Sequence, residues 1–90
     1  MVKMLPLPQV REATGLGTTS IYCRVKSGVF VPPVKVTPRS SRWLDHEVGA
    51  INAAVAAGAS EADLRALVTK LIAARKDALA HITSNAAVAA

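Results

Sequence analysis

The sequence predicts a mainly α-helical chain with one small β-hairpin, arranged as a winged helix-turn-helix and followed by an additional long C-terminal helix. Three observations carry this expectation. Two short helical patterns flank the turn Thr14-Gly15-Leu16-Gly17. The period then switches to strand-like alternation in Val34-Lys35-Val36-Thr37. From Leu44 it returns to a helical period, punctuated at Gly58.

Leu5-Pro6-Leu7-Pro8 is a stiff lead-in, and Pro8 suits the first turn of a helix, where its missing N–H would be unpaired anyway. A short helix over about Pro8–Thr14 follows. Gly15 supplies the positive φ that closes it, and Leu16 drops toward the core just beyond. Gly17, Thr18, Thr19 and Ser20 provide N-cap candidates for a second helix, whose apolar stripe is Ile21 and Val25 and whose end is Gly28. Two short helices across such a turn outline a helix-turn-helix.

Pro32-Pro33 forbids helix. Val34 to Thr37 then reads as one strand, Pro38-Arg39-Ser40 as a turn, and Ser41-Arg42-Trp43 as the returning strand with Trp43 pointing inward. The tip and outer face of this hairpin carry Lys35, Arg39 and Arg42, which makes it a basic wing. Leu44, Val48, Ile51 and Val55 form one face of a third helix that Gly58 terminates. Ser60-Glu61-Ala62-Asp63 resembles a capping box and opens a long helix with apolar positions Leu64, Leu67, Val68, Leu71, Ile72, Leu79 and Ile82. That stripe is interrupted at Arg75 and Lys76. The expected organisation is residues 1–58 as the winged helix-turn-helix, 59–83 as a helix for association or capping, and 84–90 as a frayed tail.

Charge locates the expected partner. The chain has 11 Lys and Arg against 6 Asp and Glu, a formal +5. Residues 1–43 hold Lys3, Arg11, Arg24, Lys26, Lys35, Arg39 and Arg42 against the single acid Glu12, whereas residues 44–90 come to −1. A basic first half is a candidate face for a polyanion. With Ile21 and Val25 turned inward, the opposite face of the second helix centres on Cys23, beside Thr19 and Lys26 and flanked by Ser20, Tyr22 and Ser27. Side chains of this kind fit a major groove about 12 Å wide and hydrogen-bond base edges or phosphates. The expected contacts to double-stranded DNA are therefore Thr18, Thr19, Ser20, Tyr22, Cys23, Arg24 and Lys26 on the helix. On the wing they are Lys35, Thr37, Arg39, Ser40 and Arg42. Tyr22 is equally readable as half-buried packing, and Arg24, nearer the core side, as a phosphate contact.

Other chemistry finds little footing. Hydrophobic residues make up 51% of the 90, but 17 of them are Ala, so the set able to fill a core is small. Acids are few, His46 and His81 stand apart, and Cys23 is alone, so no catalytic, metal or cofactor site is expected and no disulfide can form within the chain. Gly15-x-Gly17 lacks the rest of a dinucleotide fingerprint and reads as turn chemistry. The uncharged run from Val48 to Ser60 is too short to span a bilayer, which needs about 20 apolar residues, and prolines interrupt the start where a signal peptide needs an apolar run. A cytoplasmic, nucleoid-associated location is expected, with no membrane contact. The stripe Leu64, Leu67, Val68, Leu71, Ile72 and Leu79 is expected to join copies of the chain, in a two-fold pair or head-to-tail along DNA, unless it folds back on its own domain.

The stretch from Leu7 to Ala53 resembles the AlpA family of phage and mobile-element regulators. The matching pieces are Thr14-Gly15-Leu16, Ser20-Ile21-Tyr22, Lys26-x-Gly28, Phe30-x-Pro32-Pro33-Val34-Lys35, and Arg39 through Trp43 followed by Glu47-Val48. Gly17, Cys23 and Arg24 depart from the pattern. The resemblance implies a MerR-like winged helix whose recognition helix and wing contact DNA. It also implies an excisionase, a recombination directionality factor that binds repeated sites and steers a tyrosine integrase toward excision. The alternatives are a transcriptional regulator of a prophage or mobile-element promoter, and a module whose basic face meets an acidic protein.

Overall fold

The structure, a computed structural model, describes residues 3–89 and the side chains of residues 3–80. It contains four helices, α1 (Leu7–Thr14), α2 (Thr18–Ser27), α3 (Asp45–Ala56) and α4 (Glu61–Ala89), and three short strands, β1 (Met4–Leu5), β2 (Val34–Thr37) and β3 (Ser40–Leu44). The strands form an antiparallel sheet in the order β1-β3-β2.

Glycine ends the first three helices. Gly15, Gly28 and Gly58 take φ of 71°, 82° and 85°, the left-handed region that a side chain disfavours. After α2 the Val29 N–H reaches back to the Arg24 carbonyl, and after α3 the Ala59 N–H reaches the Ala54 carbonyl. Those bonds satisfy carbonyls that a helix end would otherwise leave open. The end of α1 is also held from outside, because the Asn52 side chain of α3 donates to the Ala13 carbonyl at 3.0 Å. Helix α4 starts with a reciprocal capping box: the Asp63 N–H donates to Ser60 Oγ at 3.1 Å, and the Ser60 N–H to Asp63 Oδ2 at 3.2 Å.

The hairpin turns at Pro38-Arg39 and pairs Val34 with Arg42, Lys35 with Ser41 and Thr37 with Ser40. One residue of β2, Val36, is bulged out of that register and is exposed. The lead-in contains a strand the sequence reading lacks. Met4 and Leu5 pair with Leu44 and Trp43 along the other side of β3. The clasp extends to Asp45, whose N–H donates to the Lys3 carbonyl at 2.9 Å and whose Oδ1 accepts from the Lys3 N–H at 3.0 Å.

Val10, Ile21, Phe30, Val31, Trp43, Val48, Ile51 and Val68 form the core, with Leu5, Leu7, Leu16, Val25, Leu67, Leu71 and Ile72 packed against it. Every element except β2 thus contributes. Trp43 is fully buried and donates its indole N–H to the Val31 carbonyl at 3.1 Å. Val55, expected on the buried stripe of α3, is 52% exposed in the last turn of the helix.

Two expectations for α4 are corrected. The helix continues to Ala89, past the end expected at residue 83, because neither Gly nor Pro follows Gly58 and the tail is rich in Ala, the best helix former. Its stripe is also already occupied within one copy. Leu64 and Val68 are buried, and the half-buried Leu67, Leu71 and Ile72 pack against the core, so these residues cover their own domain. Leu79 alone of the six remains open, at 65% exposure. Ile82 lies outside the described side chains.

Arg75, read in the sequence as an interruption, is a structural centre. Its Nε donates to Glu47 Oε2 at 2.8 Å, its Nη2 to Glu47 Oε1, and the same Nη2 to the Pro32 carbonyl at 2.9 Å. Glu47 lies at 0% exposure in the first turn of α3, and burial without a partner would be prohibitive for its charge.

Candidate nucleic-acid interface

Helix α2 and the β2–β3 hairpin hold the residues singled out for DNA. Burial of Ile21 and the half-burial of Val25 fix the rotation of α2, so that Thr18, Thr19, Ser20, Tyr22, Cys23, Arg24 and Lys26 are all exposed. Tyr22 is both exposed and packed: at 44% exposure, its ring meets Trp43 edge-on with centroids 6.0 Å apart. That contact joins α2 to β3. Arg24 lies at a shallow hollow lined by Leu16, Phe30, Asn52 and Val55, on the side of α2 that faces α3.

Of the four N-cap candidates for α2, the structure uses the first. Gly17 is the N-cap and no side chain caps the helix, so Thr18 is its first residue and makes no cap. The first N–H groups of α2 therefore have no side-chain cap, and the positive end of the helix dipole lies by a turn that Arg11 and Glu12 line together with Gly15 and Gly17.

On the hairpin, Lys35, Thr37 and Arg39 are exposed, while Ser40 and Arg42 are half-buried. Arg42 turns back along its own strand and donates from Nη1 to the Ser41 carbonyl at 2.9 Å. It is thus less free than Arg39 at the tip.

The pairing of charges is uneven. Among the described residues the ion pairs are Glu61–Arg65 and Glu47–Arg75, and His46 Nδ1 lies 3.9 Å from Asp45 Oδ1. None uses Lys3, Arg11, Arg24, Lys26, Lys35, Arg39 or Arg42, and Glu12 is the only acid before Asp45. Asp45 itself is held below its ordinary pKa of 3.8, first by the Lys3 N–H and then by the His46 N–H, which favour the carboxylate over the acid.

No buried side-chain polar atom lacks a partner, and no group of three or more His, Cys, Asp or Glu could hold a metal among the described residues. None of the described helices is long and apolar enough to cross a membrane. No family model, no curated protein and no solved structure matches the chain.

Proposed function

We propose that the chain is a sequence-specific double-stranded DNA-binding protein in which α1, α2 and the hairpin act as a winged helix-turn-helix. One observation carries the reading: the seven bases of residues 3–43 form no ion pair, and five of them, Arg24, Lys26, Lys35, Arg39 and Arg42, stand on α2 or the hairpin. An unpaired base releases counterions when it meets a phosphate, whereas a base already bonded to a carboxylate has less to offer. In this reading α2 enters the major groove with Thr19, Ser20, Cys23 and Lys26 toward base edges. Its uncapped start and Arg24 lie near phosphates, and Arg39 anchors the wing on the backbone.

The role favoured is that of an excisionase, with an integrase as partner and no catalytic step of its own; a promoter regulator is the alternative. Both rest on the resemblance of Leu7–Ala53 to the AlpA family. Self-association belongs to the same proposal, with Leu79 as the α4 residue left exposed to make it. Mapping the genomic DNA bound by the full chain tests the reading. Repeated short sites beside a recombination junction support the excisionase, and a single site over promoter elements supports the regulator. A chain that shifts no duplex at about 50 mM salt, where electrostatic binding is strong, overturns both.

A further inference from the structure

Helix α4 lies outside the helix-turn-helix and hairpin, yet it bonds to the end of α2 and to the segment that leads into the hairpin. From its first turns, Arg65 Nε donates to the carbonyl of Ser27, the last residue of α2, at 3.1 Å, and its stem passes over Gly28, where a Cβ would meet Arg65 Cγ at 3.8 Å. Ten residues on, about 15 Å along the helix axis, Arg75 donates to the carbonyl of Pro32, in the segment that leads into β2. We infer that α4 is a strut that sets the wing relative to α2, with Arg75 as its positioning residue; this rests on the DNA-binding reading above.

The segment Val29–Pro33 leads from α2 into the hairpin; its first three residues are held by burial, and its last two have fewer ways to be held. Pro32 and Pro33 have no N–H, so carbonyls are what they offer. Two consecutive carbonyls are taken from different directions, Val31 by the buried Trp43 indole and Pro32 by Arg75. Arg75 is in turn oriented by Glu47, which accepts from both Nε and Nη2. A guanidinium gripped in this way has a fixed plane, so its remaining bond fixes the position of what it touches.

The buried pair is not the most stabilising way to fill that space. Apolar residues of similar size often serve as well or better, since two charges must otherwise be taken from water. What an apolar pair cannot supply is the third bond, from Arg75 to Pro32. The arrangement therefore does more than close the core: it transmits the position of α4 to the root of the wing.

The experiment uses the full chain and removes the strut while keeping the core filled, with the double variant Glu47→Met/Arg75→Met. Circular dichroism and thermal melting establish that it folds. Binding to a bound duplex is then measured against salt for wild type, Arg39→Ala, the double variant and the triple combination. The expected result is about tenfold weaker binding and a salt slope shallower by about one in the double variant, as for a lost phosphate contact. Arg39→Ala is expected to cost little more in that background, because the wing it anchors is already misplaced. A purely structural role would leave the two effects multiplying. The inference is overturned if the double variant binds within twofold of wild type, or if Arg39→Ala costs as much in it as in wild type. Should the double variant not fold, Arg75→Lys decides by the same cycle, since Lys keeps a charge opposite Glu47 but not the fork that spans carboxylate and carbonyl. A wild-type chain that binds no duplex overturns the DNA-binding reading itself, an outcome distinct from a wild type that binds and a variant that binds equally well.

Discussion

Truncating Trp43 to Ala tests the architecture most severely. The side chain is at 0% exposure, touches Tyr22 edge-on, and donates to the Val31 carbonyl at 3.1 Å. Loss of a buried Trp costs about 3–5 kcal/mol through lost burial and the cavity left behind. The Val31 carbonyl, deprived of its donor, adds about 1–3 kcal/mol, and the aromatic contact about 0.5–1.5 kcal/mol. At about 0.05–0.15 kcal/mol per residue, a 90-residue chain has about 5–14 kcal/mol in total. Trp43→Ala is thus expected to leave the chain largely unfolded at 37 °C. Trp43→Phe keeps most of the apolar volume and loses the hydrogen bond, so about 2 kcal/mol and a fall in Tm of about 8–16 °C are expected. Far-UV circular dichroism against temperature reads both. A Trp43→Ala chain that melts within a few degrees of wild type would refute the core described here. A folded variant that has lost only DNA binding would move Trp43 to the interface.

Three other outcomes are expected. Affinity for DNA should fall with a slope of log affinity against log salt near −5, if about six phosphates are neutralised at about −0.9 each; fluorescence anisotropy at several salt concentrations would expose a flat response as contrary evidence. Arg39→Ala should weaken binding to every duplex alike, whereas Thr19→Ala and Lys26→Ala should also change which sequence is preferred, and the opposite pattern in a selection from random duplexes would exchange the roles of α2 and the wing. The Asp45 clasp should respond to acid alone. Its carboxyl is held below 3.8, so its contribution is present above that value and fades as pH falls through the lowered one. Wild type should then be more stable than Asp45→Ala at neutral pH, with the gap closing only below pH 3.8; melting curves that converge by pH 5 would contradict this.

Local chemistry was legible in the sequence; long-range partnership was not. Gly15, Gly28 and Gly58 end helices because their φ is positive, which a glycine after an apolar period announces. The Ser60–Asp63 box and the turn at Pro38-Arg39 are equally local. Exposure of Thr19, Cys23 and Lys26 followed from the rotation that Ile21 imposes. Strand β1 could not be read, since two residues before a proline have no alternation to show and become a strand only because β3 offers them its edge. The pairing of Glu47 with Arg75 was equally hidden. Each looks like an ordinary surface charge until α3 and α4 are laid side by side, and 28 residues separate them. The same blindness made the α4 stripe look unclaimed, for its partners Val48 and Ile51 were already counted in another face.

The sheet also bears on how copies of this chain can meet. A three-stranded sheet has two outer strands, and unpaired N–H and C=O groups there invite another chain to add itself. On one side the outer strand is β1, only two residues long and followed at once by Pro6. On the other it is β2, where Pro33 comes just before, Lys35 carries a charge and Val36 is pushed out of line. A visiting strand would find no straight run of donors and acceptors on either flank. If copies occupy neighbouring DNA sites, as the proposed function has it, their hairpins can come close without fusing their sheets, and contact between them then falls to helices, whose surfaces can separate again.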